Sequence, residues 1–448
     1  MLPYRSENIV AIATPPGNGA LAIVRFSGKN LYSVYRSFSH KRPQDRKAIF
    51  SKIYHPSNNK LLDEAVIIYF KSPNSFTGED VIEITCHGGA LVSKSIILAA
   101  IDYGIRNAKP GEFSCRAYLN GKIDLLQAEG ISSLISAKSQ FLQDISLNHL
   151  LGHVTKNFSE IKNDSLNILS IIENELNFSE QEIDLTSISI IRDVILNIRN
   201  KLETILNNTT HGLDVALGIR VVIIGKTNSG KSSLYNAILG YDRAIVSSVP
   251  GTTRDTIESI FELEGVPVCL IDTAGIWESE KYLDRLSIEK SYSSLDEANI
   301  CFLVDDVDPK LLEKSLCKNI KKDNYILIKT KSDLNNSTDS IDNNIIAVSS
   351  KLNTGINKLL TCLSTHIKSN ISNYDVINPI LVTRRQRGLL KRALSSIVVL
   401  IEQIDNGVET DIIASGIRGF VSILEEVLGE IPNEDIINNI FSNFCIGK

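Results

Sequence analysis

The stretch GKTNSGKSS, residues 225–233, decides the fold. It fits GxxxxGK[ST]. The β-branched run RVVIIG (220–225) leads into it, and SLYNAIL (233–239), with helical spacing, leads out. A strand, a glycine-rich loop and a helix in that order make an anion cradle. Backbone N–H groups of the loop and of the helix N-terminus converge on phosphate oxygens. The pattern assigns Lys231 to the β- and γ-phosphates and the Ser232 hydroxyl to Mg2+. Asn228, Ser229, Gly230 and Ser233 complete the loop.

Further motifs follow in order, each after an apolar strand. DTAG (272–275) comes after VPVCLI, TKSD (330–333) after NYILIK, and SSK (349–351) after NIIAV. Asp272 is expected to hold magnesium through water, with Thr273 and Ala274 leading to a Gly275 N–H that meets the γ-phosphate. Asp333 can accept from both the ring N–H and the amino group of guanine, a pattern adenine does not offer. Ser349, Ser350 and Lys351 are expected to bring a backbone N–H near the guanine oxygen. Any one tetrad is a weak signal. All of them in order point to GTP rather than ATP. Thr330, ahead of Lys331, replaces the asparagine usual in NKxD, so an effect on affinity is expected.

Strands alternate with helical segments from about 217 to 375, which reads as a mostly parallel sheet covered by helices on both faces. Residues 1–120 read differently. NIVAIAT (8–14), ALAIVRF (20–26), AVIIYF (65–70) and DVIEITC (80–86) are strand-like, and ALVSKSIILAAIDYG (90–104) has helical spacing. From 121 to 215 and again from 376 to 448, Leu and Ile recur three and four apart. The expected fold class is α/β plus α: an N-terminal α/β domain (1–120), a discontinuous helical domain (121–215 and 376–448), and a Ras-like P-loop domain (216–375) inserted between its halves.

Composition narrows the class. The 448 residues are 43% hydrophobic and 22% charged, ordinary values for a globular chain. A formal net charge of -5 argues against coating nucleic acid by bulk charge. No apolar run reaches the ~18 residues of a membrane span, and no signal peptide is recognisable, so a cytoplasmic protein without membrane contact is expected. The seven cysteines are dispersed and form no CxxC pair, which fits reduced thiols.

The residue after Gly275 raises the question of mechanism. Ras-type GTPases place a water-orienting glutamine there, and this chain has Ile276. VSSVPGTTRD (246–255) lies where the first switch belongs, with Thr253 as the expected Mg2+ and γ-phosphate ligand. Two readings of Asn228 stand: a turn residue, or, by resemblance to the cation-dependent GTPases, a K+ ligand whose shell is completed by carbonyls of Ser247, Val249 and Thr252. In the second, K+ stabilises transition-state charge where an arginine finger acts in other GTPases.

ATPPGNGALAIVR (13–25), NSFTGEDVIEITCHGG (74–89), KPGEFSCRAYLNGKIDLLQAE (109–129), GTTRD (251–255) and FSNFCIGK (441–448), together with the nucleotide motifs, resemble the MnmE (TrmE) family of tRNA-modification GTPases along essentially the whole chain. The resemblance implies an N-terminal tetrahydrofolate-binding and dimerisation domain and a homodimer whose G domains pair when GTP and K+ are bound. It implies a heterotetramer with the FAD- and NADH-dependent flavoprotein MnmG. The joint reaction is addition of an aminomethyl or carboxymethylaminomethyl group to C5 of the wobble uridine of certain tRNAs. The carbon comes from 5,10-methylene-tetrahydrofolate, and 5-formyl-tetrahydrofolate serves as its analogue. The folate contacts carried over are Arg25, Glu83, Lys122 and Lys448; read without the family, each is an ordinary surface charge. Cys445 is either an unremarkable thiol or, by resemblance, a functional one near the folate. The water-orienting glutamate of the family falls on Asp284, which has the same charge but is one methylene, about 1.5 Å, shorter. Glu278 and Glu280 are the fallback candidates. The competing reading is a ribosome-assembly or signalling switch without folate chemistry. A passive tRNA scaffold is disfavoured by the complete hydrolysis motifs.

Overall fold

The computed structural model describes residues 7–137, 139–177, 188–226, 228–240, 257–272, 298–316, 324–334, 344–371, 383–431, 434–442, 444, 446 and 447. These form two compact units, one of residues 1–135, 147–202 and 383–448, the other of 136–146 and 203–382.

In the first unit the chain runs β1 (Ile9–Ile12), β2 (Leu21–Gly28), α1 (Leu31–Ser39), β3 (Ile49–Tyr54), β4 (Leu61–Phe70), β5 (Asp80–His87), α2 (Ala90–Asp102) and β6 (Arg106–Asn107). Helices α3 (Glu112–Leu119), α4 (Leu125–Ser136), α5 (Gln140–Leu150), α6 (His153–Asn177) and α7 (Ile188–Leu217) follow, with residues 140–146 of α5 and 203–217 of α7 counted in the second unit. The six-stranded sheet has the order β3-β4-β5-β2-β1-β6 and is antiparallel except where β1 meets β6. Strict alternation sorts its two faces. Val24, Phe26, Ile67 and Ile84 point into a core closed by Val34 and Phe38 of α1 and Ile96 and Ala99 of α2. The opposite face carries Arg25 and Glu83, directly paired across β2 and β5, with half-buried Ile23, Val66, Ile68 and Thr85 around them.

The second unit holds β7 (Ile219–Gly225), α8 (Lys231–Leu239), β8 (Ile257–Leu263), β9 (Val266–Asp272), β10 (Ile300–Asp305), α9 (Lys310–Leu316), β11 (Tyr325–Lys329), β12 (Ile345–Ala347) and α10 (Ile356–Ile371). Its sheet has the order β12-β11-β10-β7-β9-β8. All pairs are parallel except β8 with β9. The antiparallel edge has a local cause. Glu264 (φ 49) and Gly265 (φ 86) both take the left-handed region, as a two-residue hairpin turn demands. The central strands are buried on both faces, so they read as continuous apolar runs.

The first unit ends with α11 (Arg384–Asp405), α12 (Thr410–Leu428) and α13 (Glu434–Ser442). Thr383 and Gln386 form a capping box that starts α11, and Gly429, at φ 77, closes α12. The fold is α/β plus α, as the sequence predicts. Strands β3, β6 and β8 and helices α1 and α3 add to the elements read from it.

Candidate functional sites

The nucleotide candidate is built from β7 outward. Gly225 ends the strand against β10, where an added Cβ would lie 2.1 Å from the Val304 carbonyl oxygen. Asn228 (φ 61) and Gly230 (φ 89) then turn the chain so that α8 begins at Lys231. Lys231 is 5% exposed, and its Nζ donates to the Lys226 carbonyl at 2.7 Å. Burial pushes its pKa down, while the Asp272 carboxylate at the end of β9 opposes that shift. The hydroxyl of Ser232 is exposed.

The guanine motifs are tied to this loop. Thr330, 2% exposed, donates through Oγ1 to the Ser229 carbonyl at 2.5 Å and packs on Gly230. The threonine that departs from NKxD therefore still fastens its motif to the phosphate loop. Lys331 (φ 51) donates through Nζ to the Asn228 carbonyl and to Asp306, both at 2.8 Å. Asp333 accepts a 2.7 Å hydrogen bond from buried Ser349, which holds its carboxyl below the usual range. Ser350 and Lys351 follow on the surface side of the same turn. Replacing Ser349 with alanine frees the carboxylate to rotate. One lost hydrogen bond of this kind is expected to weaken GDP binding about 3- to 10-fold. Nucleotide titration checks this, and unchanged affinity would disprove the orienting role.

The second candidate lies on the open face of the first unit's sheet. Arg25 donates to Glu83 Oε1 from both Nε and Nη2 at 2.8 Å. Its Nη1 reaches the Gly447 carbonyl at 3.3 Å, and its guanidinium sits 5.8 Å from the Phe76 ring centre and 5.9 Å from that of Phe113. Gly447 (φ 93) lies so close to β1 that a Cβ would stand 2.2 Å from the Ile12 carbonyl oxygen. Phe444, packed on Phe441, anchors the segment before it. Gly447 thus meets Arg25 from 422 residues further along the sequence. Exposed Lys122 runs beside Gly78 in the same loop as Phe76.

Two family models match: the GTP-binding protein TrmE N-terminus over residues 8–122 and the MnmE helical domain over 125–445. The tRNA modification GTPase MnmE of Aquifex aeolicus is 35% identical over 99% of this chain and 100% of its own length. That of Alkaliphilus oremlandii is 35% identical over the same shares of both chains. The chain belongs to the MnmE family of tRNA modification GTPases. Among solved structures, the G domain of the T. maritima FeoB iron transporter is similar at 25% identity, covering 33% of this chain and 98% of that one, with a TM-score of 0.26.

Of the residues that the MnmE resemblance and the motifs single out, Thr253, Thr273, Ala274, Gly275, Asp284, Cys445 and Lys448 lie outside the described residues, as do Ser247, Val249 and Thr252. Among the described ones, Asn228 through Ser233, Thr330, Lys331, Asp333 and Ser349 are brought together, and so are Arg25 and Glu83. Burial pushes the thiols of Cys86 up to about 11 and Cys115 up to about 12, so neither is a nucleophile near neutral pH.

Sequence reading missed Phe76 and Phe113 beside Arg25, and it missed Asp305. That buried aspartate stands 3.6 Å from Lys226 Nζ and accepts the amides of Val307 and Asp308. An acid closing the otherwise apolar run ICFLVD was the available signal. Also missed was buried Arg116, bonded at 2.9 Å to both Glu79 and Glu112, which fixes the 77–79 loop to α3.

Proposed function

We propose that this chain is a K+-dependent GTPase of the cytoplasm. With MnmG, it adds a carboxymethylaminomethyl or aminomethyl group to C5 of the wobble uridine of certain tRNAs, using a tetrahydrofolate one-carbon unit. The observation that carries the GTPase half is the tie from Thr330 and Lys331 to the Ser229 and Asn228 carbonyls, which fastens the expected base-reading motif to the phosphate loop. Lys231 would neutralise β- and γ-phosphate charge, and the loop amides would hold the phosphate oxygens. Ser232 and Thr253 would ligate Mg2+ while Asp272 holds it through water. Asp333, pre-oriented by Ser349, would read guanine. The side-chain amide of Asn228 makes no hydrogen bond among the described residues, which suits it to an incoming cation. Bound K+ would supply positive charge to the transition state, with carbonyls of Ser247, Val249 and Thr252 as its further ligands. Asp284 would orient the water.

On the folate side, Glu83 spends one carboxylate oxygen on Arg25. The other oxygen is suited to pterin N–H groups. Flanking rings and a half-buried guanidinium suit a flat heteroaromatic ligand better than water. Lys122 and Lys448 would meet its carboxylates, and the bound folate would supply the carbon. Cys445, by the family resemblance, would be a functional thiol for the folate chemistry. Phe50 is 64% exposed and Leu21 63% exposed on this face. Covering such side chains is worth about 1.5–3 kcal/mol each, which supports a homodimer through the N-terminal domain. The division into 1–120, 121–215 with 376–448, and 216–375 is part of the same reading.

The experiment compares GTP turnover in KCl and NaCl at equal ionic strength, beside Asp284→Glu. Turnover about 10-fold or more faster in potassium is expected, with the variant equal or faster. Equal rates in both salts would remove Asn228 from the mechanism. The alternative, an assembly or signalling switch, requires that 5-formyl-tetrahydrofolate does not bind.

A further inference from the structure

A cleft of about 960 Å³ opens at the end of the first unit's sheet, between the start of α1 and the ends of β4 and β5. It is bordered by Lys29, Lys71, Gly78, Glu79, Asp80 and Asn120. Its charges are unevenly committed. Asp80 accepts the Ser72 amide at 3.0 Å and the Leu31 amide at 3.3 Å, and also bonds the Tyr69 hydroxyl. Glu79 takes Arg116 at 2.9 Å and Ser27 at 2.8 Å. The ammonium groups of Lys29, Lys71 and neighbouring Lys122 have no such partner among the described residues. The cleft therefore presents cations to solvent while its carboxylates are tied inward, a field suited to an anionic chain.

The 76–79 loop joins this cleft to the Arg25 site. Phe76 lies beside Arg25, the Thr77 carbonyl accepts from Asn120 at 2.7 Å, and Gly78 lines the cleft. Gly78 sits at φ 76, and a Cβ there would stand 3.0 Å from Asn120 Cβ and 3.3 Å from Lys122 Cε. Glycine is what lets Lys122 lie across the rim between the two sites.

We propose that the cleft binds the oligo-γ-glutamyl tail of the folate, with Lys122 at the first carboxylates and Lys29 and Lys71 at those added by further glutamates. This rests on the folate reading of the Arg25–Glu83 site. Each γ-linked glutamate adds one carboxylate to an extended chain, so the tail is a polyanion suited to the lysines that border the cleft, Lys29 and Lys71, and to Lys122 beside Gly78. These contacts are solvent-exposed, and each is worth little alone.

The test is equilibrium binding of 5-formyl-tetrahydrofolate as the monoglutamate and as the tri-γ-glutamate to the full chain. The triglutamate is expected to bind about 3- to 10-fold tighter at low salt, with the advantage shrinking as salt rises. Lys29→Glu combined with Lys71→Glu should abolish or invert that preference and leave monoglutamate affinity unchanged. Monoglutamate binding with no preference for the longer tail overturns the tail site alone. Failure of both ligands to bind overturns the folate reading and this proposal together.

Discussion

Replacing Lys231 with alanine is expected to cut GTP turnover by at least about 100-fold, the scale of one lost charge-stabilising donor, without unfolding the chain. Lys231 is 5% exposed, and its ammonium donates to the neutral Lys226 carbonyl at 2.7 Å. Burial alone drives its pKa down, and the Asp272 carboxylate works against that shift. A dry site with a cation held by a carbonyl is poised for an anion, because an arriving phosphate relieves the desolvation of the charge. Alanine removes the charge and leaves the loop turns at Asn228 and Gly230 as they are, since those depend on backbone geometry. Lys231→Arg separates charge from shape. The planar fork cannot occupy the same enclosed position as a point ammonium, so it should recover little turnover. Phosphate release at saturating GTP, with urea unfolding in parallel, gives the answer. Activity within threefold of the parent in Lys231→Ala would take Lys231 out of the phosphate site.

The same contrast explains what was legible in the sequence. The phosphate loop was readable because its glycines answer to local backbone demands, and the strands around it because burial on both faces makes them uniformly apolar. Strand β3 was not, since its pattern is inverted: Ser51 is buried and Phe50 points out from the open face. Strand β8 hid behind a Glu–Gly turn where Asn–Gly is the common signal. At the sites, Thr330 looked like a loss until its hydroxyl was seen to reach Ser229, 101 residues away. Arg25 and Glu83 become neighbours only through the register of β2 against β5. No local pattern marks such a pair, so the family resemblance singled it out and spacing could not. Phe76 and Phe113 escaped even within quoted motifs, because stacking around a guanidinium is a tertiary fact.

Glu129→Ala should destabilise the first unit by about 2–4 kcal/mol, the scale of leaving a largely buried guanidinium and the buried Gln386 amide without their shared acceptor. Glu129, on α4, is buried. Arg385 grips both its oxygens, Nε to Oε1 at 2.9 Å and Nη2 to Oε2 at 2.8 Å. The Thr383 hydroxyl and Gln386 Nε2 donate to the same carboxylate at 3.2 Å and 2.6 Å. Arg385 also donates to the carbonyls of Glu426 and Val427 at the end of α12. One carboxylate therefore pins the start of α11 and the end of α12 to a helix 256 residues earlier in the chain. Two segments so far apart in sequence carry a large loop-closure entropy, and apolar side chains alone would let them slide. A bidentate pair allows one register. Glu129→Gln should cost less, since it keeps an acceptor oxygen and the shape. The double change Glu129→Leu with Arg385→Met should recover part of the loss, since both charges leave together. Urea unfolding followed by circular dichroism gives the stabilities, and nucleotide retention reports the second unit separately. A loss below 1 kcal/mol in Glu129→Ala would mean the pair behaves as a solvated surface bridge, and the two halves of the helical region would then be held by apolar packing with the exposed pairs Arg192–Asp405 and Arg418–Glu173.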